Sequence, residues 1–132
     1  MKKVIKSIFA ISTLVLLISS CKKSGTNKSN STTVEYQFIA SNPSVSLFVV
    51  YTNKDEISTT VPAATSGWKT TFTPTNLPFS ANLLVRNLNV GGPQIVQTVT
   101  AKILVNGVVV QESTKVLDLA NNIDNQIQFT VN

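Results

Sequence analysis

The sequence predicts an all-β domain, an antiparallel β-sandwich of seven to eight strands. Three observations predict it. From Val34 onward apolar and polar residues alternate at period two. Thr, Val, Ile, Ser and Asn dominate the chain, and Thr and branched aliphatics suit a pleated, half-buried surface. Asn106-Gly107 separates two apolar runs, and Asn-Gly supplies both positive-φ residues of a type I′ hairpin turn.

The elements follow in order. Val34, Tyr36 and Phe38 alternate with Glu35 and Gln37, and Val45, Leu47, Val49 and Tyr51 share a face of the next run. Residues 53–56 (NKDE) read as a turn, and residues 57–61 as a short, polar edge strand. Trp68, Thr70 and Phe72 alternate with Lys69, Thr71 and Thr73; Leu83, Val85 and Asn87 share a face after them. Val90-Gly91-Gly92-Pro93 breaks the chain. Residues 95–105 form the next strand, with Val99, Ala101, Ile103 and Val105 on one face. The Asn-Gly turn pairs residues 102–105 with residues 108–111. The last strand carries Ile123, Asn125, Ile127, Phe129 and Val131 on one face, with Asp124, Gln126, Gln128 and Thr130 facing out. Short strands with turn signals at about 8–12-residue spacing suit two packed sheets. Two sheets bury Phe38, Val49, Trp68, Val85, Ile103 and Phe129 together, where a single sheet would leave one side of them wet.

The chain of 132 residues has a one-domain length, and a domain of this size buries enough surface to fold alone. Ahead of the domain lies a different kind of segment. MKKVIK is a cationic start, and the apolar run to Ile18 is interrupted by Lys6, Ser7, Ser12 and Thr13. Its uninterrupted part is too short for a transmembrane helix of about 20 residues and fits the apolar region of a signal peptide. Ile18-Ser19-Ser20-Cys21 is an aliphatic residue, two small residues and a Cys: a lipobox, resembling the substrates of lipoprotein signal peptidase. The Cys21 thiol would take a diacylglyceryl group as a thioether, and after cleavage the new N-terminus would take a further acyl chain. Each buried CH₂ contributes about 0.8 kcal/mol, and a second chain turns marginal binding into stable anchoring. The expected organisation is a signal peptide over residues 1–20, a lipidated Cys and polar tether over 21–32, and the sandwich over 33–132. Residues 22–32 (KKSGTNKSNST) hold no apolar side chain and should not fold alone. They span at most about 35–40 Å extended or roughly 18 Å as a coil, so the domain sits close to the membrane.

The net charge of +5 belongs to targeting and tethering. Lys2, Lys3, Lys6, Lys22, Lys23 and Lys28 all precede the domain, which carries five basic and six acidic side chains. Nucleic-acid binding needs a clustered cationic face, so it is excluded. The chain has one Cys and no His. It therefore makes no internal disulfide and lacks the usual ligands of zinc and other transition metals. No cofactor is expected.

Nor is a catalytic constellation visible. Nucleophilic catalysis needs a base beside Ser, Thr or Cys, and here the charged residues are scattered. Asp55-Glu56 sits in a turn, where adjacent acids are solvated. Residues 118–124 (DLANNID) hold oxygen donors suited to calcium, yet lack the spaced acids and Gly of a known calcium loop. The candidate binding residues are aromatic: Trp68, Tyr36 and Tyr51. A binding module would expose Trp68 as a stacking platform, while its phase with Phe72 favours the core. The expectation is a non-enzymatic, membrane-tethered interaction domain, with an envelope ligand- or carbohydrate-binding module as the alternative.

Three runs, VEYQFIASNPSVSLFVVYTNKDE, SGWKTTFT and TAKILVNGVVVQES, resemble the MmpS family of small mycobacterial membrane proteins. The matching residues are Val34 and Tyr36, Val49 to Asn53, Trp68, and Ile103 to Val110. The resemblance implies an Ig-like sandwich at a membrane and an accessory role beside an export transporter. The family's mycobacterial members use a transmembrane helix and a domain cysteine pair, where this chain has a lipobox and no domain Cys. The CKKSG start and Asn/Thr-rich body also resemble small lipoproteins of Bacteroidetes-type bacteria. Surface display in that group uses acids just after the Cys; Lys22-Lys23 instead favour the periplasmic face of the outer membrane. The expected partners are the membrane itself, through Cys21, and an envelope membrane protein.

Overall fold

The computed structural model describes residues 31–87, 95–118 and 123–132. The expected signal peptide over residues 1–20, the expected lipobox Ile18-Ser19-Ser20-Cys21, the expected tether over residues 22–30, the Val90-Gly91-Gly92-Pro93 break and residues 119–122 lie outside the described residues.

The strands are β1 (Val34–Ala40), β2 (Leu47–Thr52), β3 (Ser58–Ala64), β4 (Lys69–Phe72), β5 (Phe79–Arg86), β6 (Gln97–Val105), β7 (Val108–Leu117) and β8 (Asn125–Val131). They form two four-stranded antiparallel sheets packed as a sandwich, in the orders β4-β1-β6-β7 and β3-β2-β5-β8. The alternation explains the packing, because successive side chains point to opposite faces of a strand. Val34, Tyr36 and Phe38 of β1 are buried against Leu47 and Val49 of β2, Leu83 and Val85 of β5, and Val99, Ala101 and Ile103 of β6. Trp68, Phe72 and Phe129 pack against this core half-buried. Full burial of a side chain such as Phe38 or Leu83 contributes about 1.5–3 kcal/mol.

The hairpin forms where Asn-Gly is written. Asn106 has φ 52° and Gly107 φ 79°, and Val105 pairs with Val108 across them. The register then shifts between Ile103 and Leu104: Ile103 faces Gln111 while Leu104 faces Val109, leaving Val110 as the extra residue of a β-bulge. The residues 53–56 turn also stands, with Glu56 at φ 62° and Asn53 Oδ1 accepting from the Asp55 and Ile57 amides.

Some boundaries differ from the sequence pattern. The hairpin's second strand continues to Leu117, because its partner β6 is long enough to pair with it as far as Gln97. The polar edge strand runs on to Ala64, which faces Leu47. Val45 precedes β2 but still packs on the core. Ile123 lies before β8, in an isolated bridge with Asp118.

One buried polar residue ties the two sheets. Asn125 of β8 is fully buried, and its Nδ2 donates to the Val99 carbonyl of β6 and the Ser113 carbonyl of β7, both at 2.9 Å. Arg86 pairs with Asp124 at 2.7 Å beside it.

The turn geometry generates a test. Nothing lies within 4 Å of a Cβ built on Gly107, so a side chain there meets only the positive φ. Gly107→Val should lower stability by about 1–2 kcal/mol, read as a reduced urea midpoint with an unchanged slope.

Candidate functional site

The three sequence-predicted aromatics belong to one interior row. Tyr36 lies 5.6 Å, centroid to centroid, from both Tyr51 and Phe72; Tyr51 lies 5.7 Å from Trp68; Trp68 stacks on Phe38 at 6.1 Å; and Phe72 meets Phe79 edge-on at 5.7 Å. These are favoured aromatic separations. The row runs between edge strand β4 and strand β2, so its outer members Trp68, Tyr51 and Phe72 are half-buried while Tyr36 and Phe38 are fully buried.

Trp68 is positioned by a turn. Its amide donates to the Thr65 carbonyl at 3.0 Å, with Gly67 at φ 88° before it, the backbone that a type II turn asks of Gly. Ser66 fixes the turn to β1, accepting from the Ala40 amide at 2.8 Å and donating to the Ala40 carbonyl at 3.1 Å. Trp68 thus lies flat along Phe38, with only part of its surface reaching solvent. Tyr36 presents no surface for a ligand. Its hydroxyl donates to the Thr52 carbonyl at 3.1 Å and accepts from the Asn82 amide at 3.2 Å. Burial pushes this phenol far above the usual tyrosine range.

The outer faces of the two sheets differ in chemistry. On β4-β1-β6-β7 the polar groups satisfy each other: Lys102 pairs with Glu112 at 3.1 Å, Thr100 with Thr114 at 2.8 Å, and Thr71 donates to Glu35 at 2.9 Å. On β3-β2-β5-β8 the outward Phe48, Val50 and Leu84 of the central strands form an apolar patch among Thr52, Asn82 and Arg86. Val50 faces Leu84, and Phe48 sits across from Arg86; all four are half-buried. A shallow depression of about 300 Å³ lies on this face, lined by Val50 and Leu84 with Tyr51, Thr52, Ser58, Asn82, Gln126 and Glu56 around them. Gln126 Nε2 donates to Asn82 Oδ1 at 3.3 Å across it. Of this surface, sequence reasoning named Tyr51 alone. Its signal was the run LFVVYT over β2 and LLV in β5, apolar on both strand faces rather than one.

Charge elsewhere is local. Asp55 is held below the usual carboxylate range by hydrogen bonds from the Lys54 ammonium and then the Thr75 hydroxyl. Among the described residues no three His, Cys, Asp or Glu side chains group as metal ligands, and no helix is long and apolar enough to cross a membrane. Of residues 118–124, the described Asp118 and Ile123 pair through their backbones, and Asp124 is paired with Arg86.

Neither a family model nor a curated protein matches the chain.

The Tyr36 hydroxyl generates two linked predictions. Tyr36→Phe removes both hydrogen bonds and leaves the Asn82 amide without this partner, at a cost of about 1–3 kcal/mol, measurable by urea unfolding. The phenol's raised pKa also makes stability depend on pH. It contributes fully below about pH 10, where folded and unfolded chains both keep the proton, and the contribution is lost as pH rises further because only the unfolded chain releases it. Tyr36→Phe should flatten that alkaline decline.

Proposed function

We propose that this chain is a bacterial envelope lipoprotein, anchored through lipidated Cys21, whose sandwich is a non-enzymatic interaction domain. The observation that carries the interaction role is the outer face of β3-β2-β5-β8. Phe48, Val50 and Leu84 form an apolar centre there, with Asn82, Gln126, Thr52 and Ser58 around it. Interfaces have this anatomy, an apolar core inside a polar rim. The opposite face carries three polar pairs together with the exposed side chains of Ile39, Val109 and Val116. The anchor rests on the lipobox at residues 18–21 and the polar tether after it.

The finer reading of the fold is Ig-like. The order β3-β2-β5-β8 corresponds to C′-C-F-G of a variable-type domain, and β4 beside β1 corresponds to E beside B. The hairpin β6-β7 takes the flank that strand A holds in that fold. Together with the resemblance to the MmpS family, this supports an accessory subunit of an envelope export complex, held at the outer membrane's periplasmic face.

A second reading has its own observation. The depression beside Asn82, Gln126, Ser58 and Thr52 offers amides and hydroxyls over an apolar floor, which suits a small neutral ligand such as a sugar. Tyr51 lines this depression, while Trp68 stacks on Phe38, meets Tyr51 at a tilt and stays half-buried.

The anchor is tested directly. Cys21→Ala should remove the lipid mass and move the protein from the membrane to the soluble or precursor fraction. Equal membrane retention of both forms would refute the anchored reading.

A further inference from the structure

The sandwich has two ends, and the chain enters at one of them. The Thr33 amide donates to Asn106 Oδ1 at 2.9 Å, and the Asn106 amide donates back to the Thr33 carbonyl at 2.9 Å. The entry point is therefore clamped to the tip of the β6-β7 hairpin. Just before it, Ser31 and Thr32 line a recess of about 370 Å³ with Thr73, Pro74, Thr75, Asn76 and Leu77. The β4-β5 loop is fixed in turn to the β2-β3 turn, where the Thr75 amide donates to the Lys54 carbonyl at 2.9 Å. Chain entry, hairpin tip, β4-β5 loop and β2-β3 turn thus make one end of the molecule.

This end carries apolar side chains that nothing covers. Val108 is 65% exposed, Ile57 60% and Leu77 50%, one from each of the three connections. Its charges are few: Lys54 is paired with Asp55 at 2.7 Å, and Glu56 is exposed beside them.

We propose that this end of the sandwich rests on the lipid bilayer, with Leu77, Val108 and Ile57 in the headgroup–acyl boundary. The inference rests on the Cys21 anchor of the proposed function and adds an orientation to it. Nine residues, 22–30, separate Cys21 from the described chain, a reach of at most about 32 Å. The sandwich is about 30 Å tall, the span of the nine residues of β6. The entry end meets the bilayer with the tether in any conformation. The far end, where Ile39, Val96, Val116 and Ile123 are also exposed, meets it only if the tether is drawn out along the whole height of the domain. Scattered apolar side chains are ordinary on a soluble surface; placed within reach of an anchored lipid, they add contact area to it. Glu56 leaves this end without a cationic surplus, so the contact is apolar and should survive high salt.

The test uses the full-length lipoprotein in phosphatidylethanolamine–phosphatidylglycerol vesicles. A thiol-reactive, polarity-sensitive fluorophore is placed on Leu77→Cys, Val108→Cys, Val96→Cys or Val116→Cys, one at a time, and quenched by nitroxide lipids. All four positions are exposed, so the substitutions leave the core untouched. The expected result is a blue shift and at least threefold stronger quenching at 77 and 108 than at 96 and 116, unchanged in 0.5 M salt. Equal quenching at the four positions, or stronger quenching at 96 and 116, would overturn the orientation and leave the anchor standing. If the wild-type chain itself takes the label, Cys21 is unlipidated, and the anchored reading falls together with this one.

Discussion

A phenol can sit fully buried in a sandwich core only if its hydroxyl is hydrogen-bonded, since burying an unpaired hydroxyl costs several kcal/mol on the cyclohexane scale. Tyr36 meets that condition with partners in the opposite sheet: the Thr52 carbonyl at the end of β2 and the Asn82 amide in β5. Both partners are backbone groups, so the hydroxyl fixes where β2 and β5 lie relative to β1. Around it the rings of Tyr51 and Phe72 close the remaining space. Asn125 does the corresponding work at the other end, where a β8 side chain holds the carbonyls of β6 and β7. Between these two ties the core is apolar and needs only area and fit.

The same arrangement decides what is left for function. The strongest aromatics of the sequence are spent inside, on the row from Phe38 to Phe79. The outward positions of β2 and β5 hold Phe48, Val50 and Leu84, flanked by Asn82 bonded to Gln126 and Arg86 paired with Asp124. A domain built this way offers a surface rather than a cleft. That is consistent with a role in holding a partner, and with a tether that leaves the broad faces free while one end lies near the membrane.

Much of the fold was legible because it depends on local rules. The period-two pattern of Val34, Tyr36 and Phe38 needs no tertiary knowledge, and Asn106-Gly107 specifies a turn by backbone conformation alone. Strand ends were less legible. Whether β7 stops at Gln111 or runs to Leu117 depends on how long β6 can pair with it, which is a tertiary property. The Val110 bulge was invisible for the same reason. The candidate surface was the least legible. Phe48, Val50 and Leu84 alternate with the core residues Leu47, Val49, Leu83 and Val85, and only the pairing of β2 with β5 shows that they gather into one outer patch. Tyr36 was ambiguous between surface and core until its two partners, 16 and 46 residues away in sequence, could be seen.

The central claim is that the sandwich exists to hold something in the envelope. Crosslinking of the native, lipidated protein in cells, followed by mass spectrometry, tests it most directly, with the exported but unlipidated chain as control. The account predicts one dominant membrane-protein partner, crosslinked through the outer face of β3-β2-β5-β8 and lost or weakened in the control. Crosslinks only to itself and to abundant envelope proteins would contradict it, and would turn attention to the depression beside Asn82 as a small-ligand site.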